Sequence, residues 1–288
     1  MAVAPHGTVP VTGSTRAPDA VRPINRSIMT MNDGEVRLVR EGAVAKVTFD
    51  RPAARNAMTW RMYEQLGEIC AQLYDDAAVR VVVFRGAGGK AFVAGTDIAQ
   101  FLEFTSGQDG VAYEQRMEGI LSALEALPMP TLAVVEGWAI GGGLAIAACC
   151  DLRIATPDTR FGVPIARTLG NCLSVANTAR LVAALGVART KRVLLLAETI
   201  PAEEALAGGF LAEIVDAGDI DRRVAELTDR FLRNAPITMR VAKEAMRRLL
   251  HASLPDDEDL VRACYGSGDF REGVRAFVDK REPQWTGR

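Results

Sequence analysis

Histidine is almost absent from this chain, with two among 288 residues, His6 and His251. So few imidazoles argue against a Ser-His-Asp triad, a Cys-His pair or a histidine-ligated zinc, though not against a carboxylate-bound metal. No GxSxG elbow, no GxxxxGK[ST] loop and no GxGxxG turn after a strand occurs, so hydrolase, P-loop and dinucleotide sites lack their signatures. The five cysteines (Cys70, Cys149, Cys150, Cys172, Cys264) form no CxxC pair. Their odd number, beside a large core, points to reduced thiols in a cytoplasmic protein. Excess charge is missing too: 34 basic against 36 acidic residues leave a net −2. That balance offers no footprint for nucleic acid or a membrane surface. The main apolar runs, near 131–135 and 144–150, are far short of the ~20 residues that cross a bilayer.

What is present is a sizeable apolar fraction, 49% of the residues. This is enough to bury the core of one domain with an appended helical part. The first thirty residues carry four prolines and no apolar period. Residues 1–30 therefore read as a flexible tail without the apolar segment of a signal peptide, with Met29 or Met31 as an alternative start. The core is expected over 31–217 and a helical region over 218–288. Strands are expected over 35–40 and 43–49, joined by a turn at Glu41-Gly42. Thr59 is placed to cap a helix on which Met62, Leu66, Ile69 and Leu73 recur at helical spacing. Buried strands are expected at 80–84 and 131–135, with a helix over 110–127 between them, stopped by Pro128 and Pro130. Alternation of this kind indicates an α/β fold with parallel crossovers. Later helices are expected over 174–185, 188–197, 201–207, 220–233 and 237–250, with a short strand at 211–215.

Two loops carry the chemistry. In KAFVAGTDI (90–98) and VEGWAIGGGLAIAACCDLRIA (135–155), small residues stand where a backbone N–H must approach a ligand unobstructed. Gly141, Gly142 and Gly143 follow an apolar run and open a segment of Ala, Ile and Leu. This reads as a strand, a tight turn and the start of a buried helix. Unpaired N–H groups and the positive dipole end at such a start favour developing negative charge. A glycine triplet alone is better explained by close helix–strand packing. Its pairing with the first loop is what favours a site.

Together with FDRPAARNAM (49–58), DLRIA (151–155), FGVP (161–164) and REGVRAFVDKR (271–281), these loops resemble the crotonase superfamily, the enoyl-CoA hydratase/isomerase proteins. The resemblance runs from Val44 to the C-terminus. It implies a ClpP/crotonase-like fold of repeated β-β-α units with a C-terminal helical trimerisation region, and a homotrimer or dimer of trimers. It also implies an acyl-CoA thioester substrate, with CoA entering as part of that substrate, no separate cofactor and no metal. By resemblance, the thioester oxygen would accept hydrogen bonds from the N–H groups of Thr96 and Gly142. CoA would lie along Ala53, Arg55, Ala94, Asp97 and Ile98, with Lys280 reaching a phosphate, Gly141 shaping the turn and Trp138 walling the acyl pocket. Thr96 stands where the family usually has alanine, which leaves a hydroxyl for ligand, water or Asp97.

The chain departs from the family where the chemistry is hardest. Hydratases of this type use two glutamates, at positions occupied here by Ala145 and Ile165, and neither residue can carry a proton. Cys172, activated by Arg167 or a helix start, is one substitute, against a buried inert thiol as the plain alternative. Arg167 could instead hold an acyl carboxylate, against a surface ion pair. Glu118 and Glu136 are acids that the fold could turn toward the site. The expectation is enolate chemistry of the isomerase or decarboxylase kind rather than standard hydration, with a non-catalytic acyl-CoA binder as the alternative.

Overall fold

The computed structural model describes residues 33–288, and the tail expected over 1–30 lies outside them, as does His6. β1 (Glu35–Glu41) and β2 (Val44–Asp50) form the expected antiparallel pair, the first one residue longer than its pattern indicated and the second shifted by one. The Thr59 hydroxyl accepts the Met62 N–H at 3.2 Å and caps α1 (Trp60–Tyr74). This helix buries Met62, Leu66, Ile69 and Leu73, as the spacing required.

From there a β-β-α order occurs three times: β3 (Val81–Gly86), β4 (Ala91–Ala94) and α2 (Gly107–Glu125); β5 (Thr131–Val135), β6 (Trp138–Ile140) and α3 (Gly142–Cys149); β7 (Leu152–Ala155), β8 (Arg160–Gly162) and α4 (Ile165–Thr168). The first strand of each unit joins one sheet and the second strand joins another. With α5 (Val175–Leu185), α6 (Val187–Leu195), β9 (Thr199–Pro201), α7 (Ala202–Ala207) and β10 (Glu213–Ile214), the sheets are complete among the described residues. The larger has the order β1-β2-β3-β5-β7-β10 and the smaller β4-β6-β8-β9. β3 and β5 are covered on both faces, which is why their sequences are almost unbroken Val, Leu and Ala. The repeat is therefore one of architecture. Strands of three to six residues leave no short-period trace in the sequence.

After β10 the described chain is helical: α8 (Ile220–Arg233), α9 (Pro236–His251), α10 (Glu258–Tyr265) and α11 (Gly268–Val278). The last two go beyond the helices expected from periodicity. α10 packs on α2, and α11 packs on the 3-10 turn Ile98–Glu103. Phe101, Val111, Leu169, Val261, Tyr265 and Phe270 form a small second core there. No helix among the described residues is long and apolar enough to cross a membrane.

Candidate active site

The two loops singled out in the sequence meet because β4 and β6 are parallel neighbours with Ala94 opposite Ile140. Thr96 and Gly142 each lie two residues beyond that pair. Adjacent strands run about 4.8 Å apart, so the register alone brings the loops side by side. Met58 holds the first loop from behind: its N–H donates to Gly95 O at 2.8 Å and its carbonyl accepts the Asp97 N–H at 2.9 Å. With Gly95 and Asp97 bonded on that side, the Thr96 N–H turns to the other. Gly142 is the first residue of α3, ahead of the opening helical bond from Ala145 N to Gly141 O. Such first-turn N–H groups have no partner within a helix.

Side-chain space at Gly142 and Gly143 is nil. A Cβ on Gly143 would collide with the Val93 carbonyl, and one on Gly142 would overlap the Tyr63 hydroxyl and stand 3.6 Å from Thr96 Oγ1. These two glycines therefore serve both readings of the sequence, close packing and an open approach to the N–H.

Between the loops, α2 and α11 lies a cavity of about 410 Å³. Ala54, Arg55, Ala94, Asp97 and Ile98 line it together with Thr96, Gly141 and Gly142, so most of the expected CoA-binding residues converge on one space. The turn carrying Arg55 is fixed by Asn56, fully buried, whose amide Nδ2 donates to Ala87 O and Ala91 O. Ala94 N–H also donates to Arg55 O at 3.1 Å. Asp97 is committed locally: it pairs with Arg51 at 2.8 Å and accepts the Ala99 N–H, so it shapes the loop. Ala145 and Ile165 both face the cavity, which puts an apolar wall where glutamates were implied.

Several expected positions fall elsewhere. Trp138 starts β6 at the end away from the cavity and is partly solvent-exposed, so it does not wall the pocket. Ala53 sits on the outer side of its turn, while its neighbours Ala54 and Arg55 line the cavity. Arg167 is on the outward face of α4, whose Ile165 and Thr168 point inward. Lys280 lies exposed beyond α11, and Phe277 of that helix reaches the cavity instead. Cys172 is also outside the lining. Its thiol meets that of Cys264, and this hydrogen bond together with burial drives its pKa up, the opposite of an activated thiolate. Glu118 is taken by Arg180 and Glu136 by Arg85, so neither acid is available. His251 pairs with Glu125 at 2.6 Å, away from the cavity. Among the described residues no group of histidine, cysteine or acidic side chains is arranged to hold a metal.

Two features were not read from the sequence. The Thr96 hydroxyl binds neither Asp97 nor an open space but two phenols, Tyr63 at 2.8 Å and Tyr113 at 3.3 Å. Three hydroxyls carry three protons and share two hydrogen bonds, leaving one proton to be aimed into the cavity. The second feature is Glu114, 5% exposed and one of the residues lining the cavity. On α2 it occupies the buried stripe between Val111 and Met117, a place the periodicity reserves for an apolar side chain. An acid in that stripe is the signal that would have found it. Glu114 accepts the Tyr265 hydroxyl at 2.7 Å and the Ser174 N–H at 3.2 Å. Burial dominates over these bonds and, with nearby Asp257 and Glu118, pushes its pKa up to about 7.

That shift has a stability consequence. A carboxyl whose folded pKa is raised from 4.5 to about 7 contributes stability that is present below the lower value and lost as pH rises through the higher. Thermal melts of the unliganded protein are expected to show a loss attributable to this group as pH rises from 4.5 to about 7. Glu114→Gln should flatten that slope, and an unchanged slope would contradict the assignment.

The family model for enoyl-CoA hydratase/isomerase matches residues 39–288. The short-chain-enoyl-CoA hydratase of Clostridium acetobutylicum is 32% identical over 261 residues, spanning 88% of this chain and 97% of that protein. A solved enoyl-CoA hydratase/carnithine racemase from Magnetospirillum magneticum has 32% identity and a TM-score of 0.72, covering 90% of this chain and 98% of that one. A methylmalonyl-CoA decarboxylase in complex with 2-nitronate-propionyl-CoA superimposes with a TM-score of 0.81 at 26% identity, covering 88% of this chain and 99% of that one. The overall fold is thus shared with these solved structures, and the chain belongs to the enoyl-CoA hydratase/isomerase family, the crotonase superfamily.

Proposed function

We propose that this protein binds an acyl-CoA thioester and stabilises its enolate, with the N–H groups of Thr96 and Gly142 as the oxyanion donors. The observation that supports this reading is the β4–β6 register, which brings the Thr96 and Gly142 loops together at the wall of a cavity that both residues line. One such donor is worth ~2.7–4 kcal/mol in a transition state. Isomerisation or decarboxylation is preferred to hydration. Hydration needs one group to activate water and another to deliver a proton, and the apolar Ala145 and Ile165 supply neither. The similarity to methylmalonyl-CoA decarboxylase supports the same preference.

CoA enters past Arg55 at the rim, with the exposed Lys280 beyond it, and serves as part of the substrate rather than as a separate cofactor. The reading includes assembly into a trimer or dimer of trimers, supported by α9, which buries no residue and exposes Ile237, Val241, Met246 and Leu249. It also includes a reducing cytoplasmic setting, supported by five free thiols.

The test is mass spectrometry of an acyl-CoA panel containing 2-enoyl, 3-enoyl, 3-hydroxyacyl and malonyl-type thioesters, with chromatography to resolve products of equal mass. The expected result is a shifted double bond or loss of carbon dioxide, with water addition much slower. Fast hydration would overturn the reaction preference. Binding with no product from any thioester would establish the alternative, a non-catalytic acyl-CoA binder, which the absence of both glutamates favours.

A further inference from the structure

We infer that Glu114 is the acid–base group of this cavity, shuttling a proton between two carbons of the bound acyl chain. The inference rests on the enolate reading above and names the residue that reading leaves unassigned. Of the acids that line the cavity, Asp97 is held by Arg51 and Glu114 has no cation among its hydrogen-bond partners. Its carboxylate would take a proton from the carbon next to the thioester carbonyl of a 3-enoyl chain. The C–H electron pair then becomes the C=C of an enolate whose charge rests on the thioester oxygen. When that charge returns through the chain, the same carboxyl gives its proton to the γ-carbon. The double bond moves into conjugation, and Glu114 is regenerated with no other reactant consumed.

Three observations support the role. Glu114 forms the shared wall between the main cavity and a second pocket of about 310 Å³ lined by Glu118, Asp256, Asp257 and Glu258. Glu114 therefore has acidic side chains on its far side as well as the acyl cavity on its near side. Next, Asn171 Nδ2 donates to the Tyr265 hydroxyl at 3.3 Å, which donates to Glu114, while Asn171 Oδ1 is buried with no partner. Once Glu114 is protonated it can donate to the Tyr265 oxygen, and the freed phenol proton can satisfy Asn171 Oδ1 after rotation of the amide. The chain thus has a hydrogen-bonding arrangement for each protonation state. Finally, a group titrating near the working pH is suited to both halves of a shuttle, and Glu114 does so at about 7.

The titratable groups around it are Tyr63 on α1, Tyr113 and Glu118 on α2, Cys172 in the following loop, Asp257 before α10, and Cys264 and Tyr265 on α10. Burial keeps the phenols neutral, and Arg180 neutralises Glu118. The principal hydroxyl controlling Glu114 is therefore that of Tyr265.

The experiment uses trans-3-hexenoyl-CoA, following the conjugated product by absorbance, and butanoyl-CoA in D2O, following deuterium at the α-carbon by mass. Glu114→Gln is expected to lower kcat for both by about 10²–10⁴-fold with KM changed less than about threefold, the split that marks a proton-transfer group. Tyr265→Phe removes a hydrogen bond that lowers the Glu114 pKa, so the pH midpoint of kcat should move upward from near 7. A merely structural phenol would not shift that midpoint. Wild-type turnover with a Glu114→Gln rate within about threefold of it overturns Glu114 alone and leaves the enolate reading standing. Wild-type protein that binds both thioesters yet moves no proton overturns both. If Glu114→Gln does not fold by circular dichroism, Tyr265→Phe decides: an unmoved midpoint overturns the inference.

Discussion

Replacing Gly142 with alanine is expected to cut turnover of an acyl-CoA substrate by about 10²–10³-fold, the effect of losing one oxyanion donor. The added methyl would overlap the Tyr63 hydroxyl and crowd Thr96 Oγ1 at 3.6 Å. Tyr63 is fully enclosed and cannot swing clear, so the Thr96 loop must yield or the entry to the Gly142 N–H must narrow. Helix formation is not the problem. Gly142 lies outside the positive-φ set, and alanine is favoured over glycine within a helix by up to ~1 kcal/mol. The loss should therefore appear in kcat, alongside a stability cost of about 1–3 kcal/mol from the overpacked methyl, and is read on a variant shown to be folded by circular dichroism. A variant that turns over within about threefold of wild type would remove Gly142 from the oxyanion site.

The largest stability effect is expected at Arg180, whose side chain is 1% exposed. Its guanidinium donates to Glu118 at 2.6 Å, to Glu125 at 3.2 Å, to Asn177 at 3.0 Å and to Ser122 at 3.3 Å. Arg180→Met would leave the partly enclosed Glu118 without its cation and Glu125 with His251 alone, a change that costs about 2–4 kcal/mol, below the full figure for a wholly buried pair. Urea melts should reveal this directly, and a loss under about 1 kcal/mol would show the network to be no better than a surface pair. Adding Glu118→Gln and Glu125→Gln to Arg180→Met should recover much of the loss, because no uncompensated charge then stays enclosed. Burial raises the Glu118 pKa, but the Arg180 bonds outweigh it and hold the carboxyl below its ordinary 4.5. The sign is that of a depressed acid: stability is present above 4.5 and lost as pH falls through the lower folded value. Because Arg180 ties α5 to α2, Arg180→Met should also disturb Tyr113 and Glu114, which α2 carries to the cavity.

The contrast between what the sequence disclosed and what it hid has physical causes. Thr59, the hairpin and α1 were legible because capping and periodicity are local. The Thr96 and Gly142 loops were legible as individual loops, but their meeting depends on a strand pair spanning some forty residues. The resemblance supplied that pairing; no pattern did. β6, β8 and β9 are three residues long, too short to show an alternation. Trp138 was misplaced for the same reason, since without β6 nothing indicates which end of the strand it starts. Cys172 seemed activatable beside Arg167, yet α4 turns the arginine outward and leaves the thiol against Cys264. Glu114 escaped notice because its partner Tyr265 lies 151 residues away, on a helix beyond the expected ones.

The two donors are set by main-chain pairing of β4 with β6, whereas the groups that surround them come from α1, α2, α4 and α11. This separates a fixed chassis from exchangeable fittings. Substitution at Ala145, Ile165 or Glu114 is therefore expected to change the proposed proton transfer without shifting either proposed donor, because main-chain pairing sets the spacing of the strands. Introducing glutamate at Ala145 and Ile165 is thus a route to engineered hydration on the existing anion site. The same independence lets one scaffold diversify its reactions while the electrostatic centre is inherited intact.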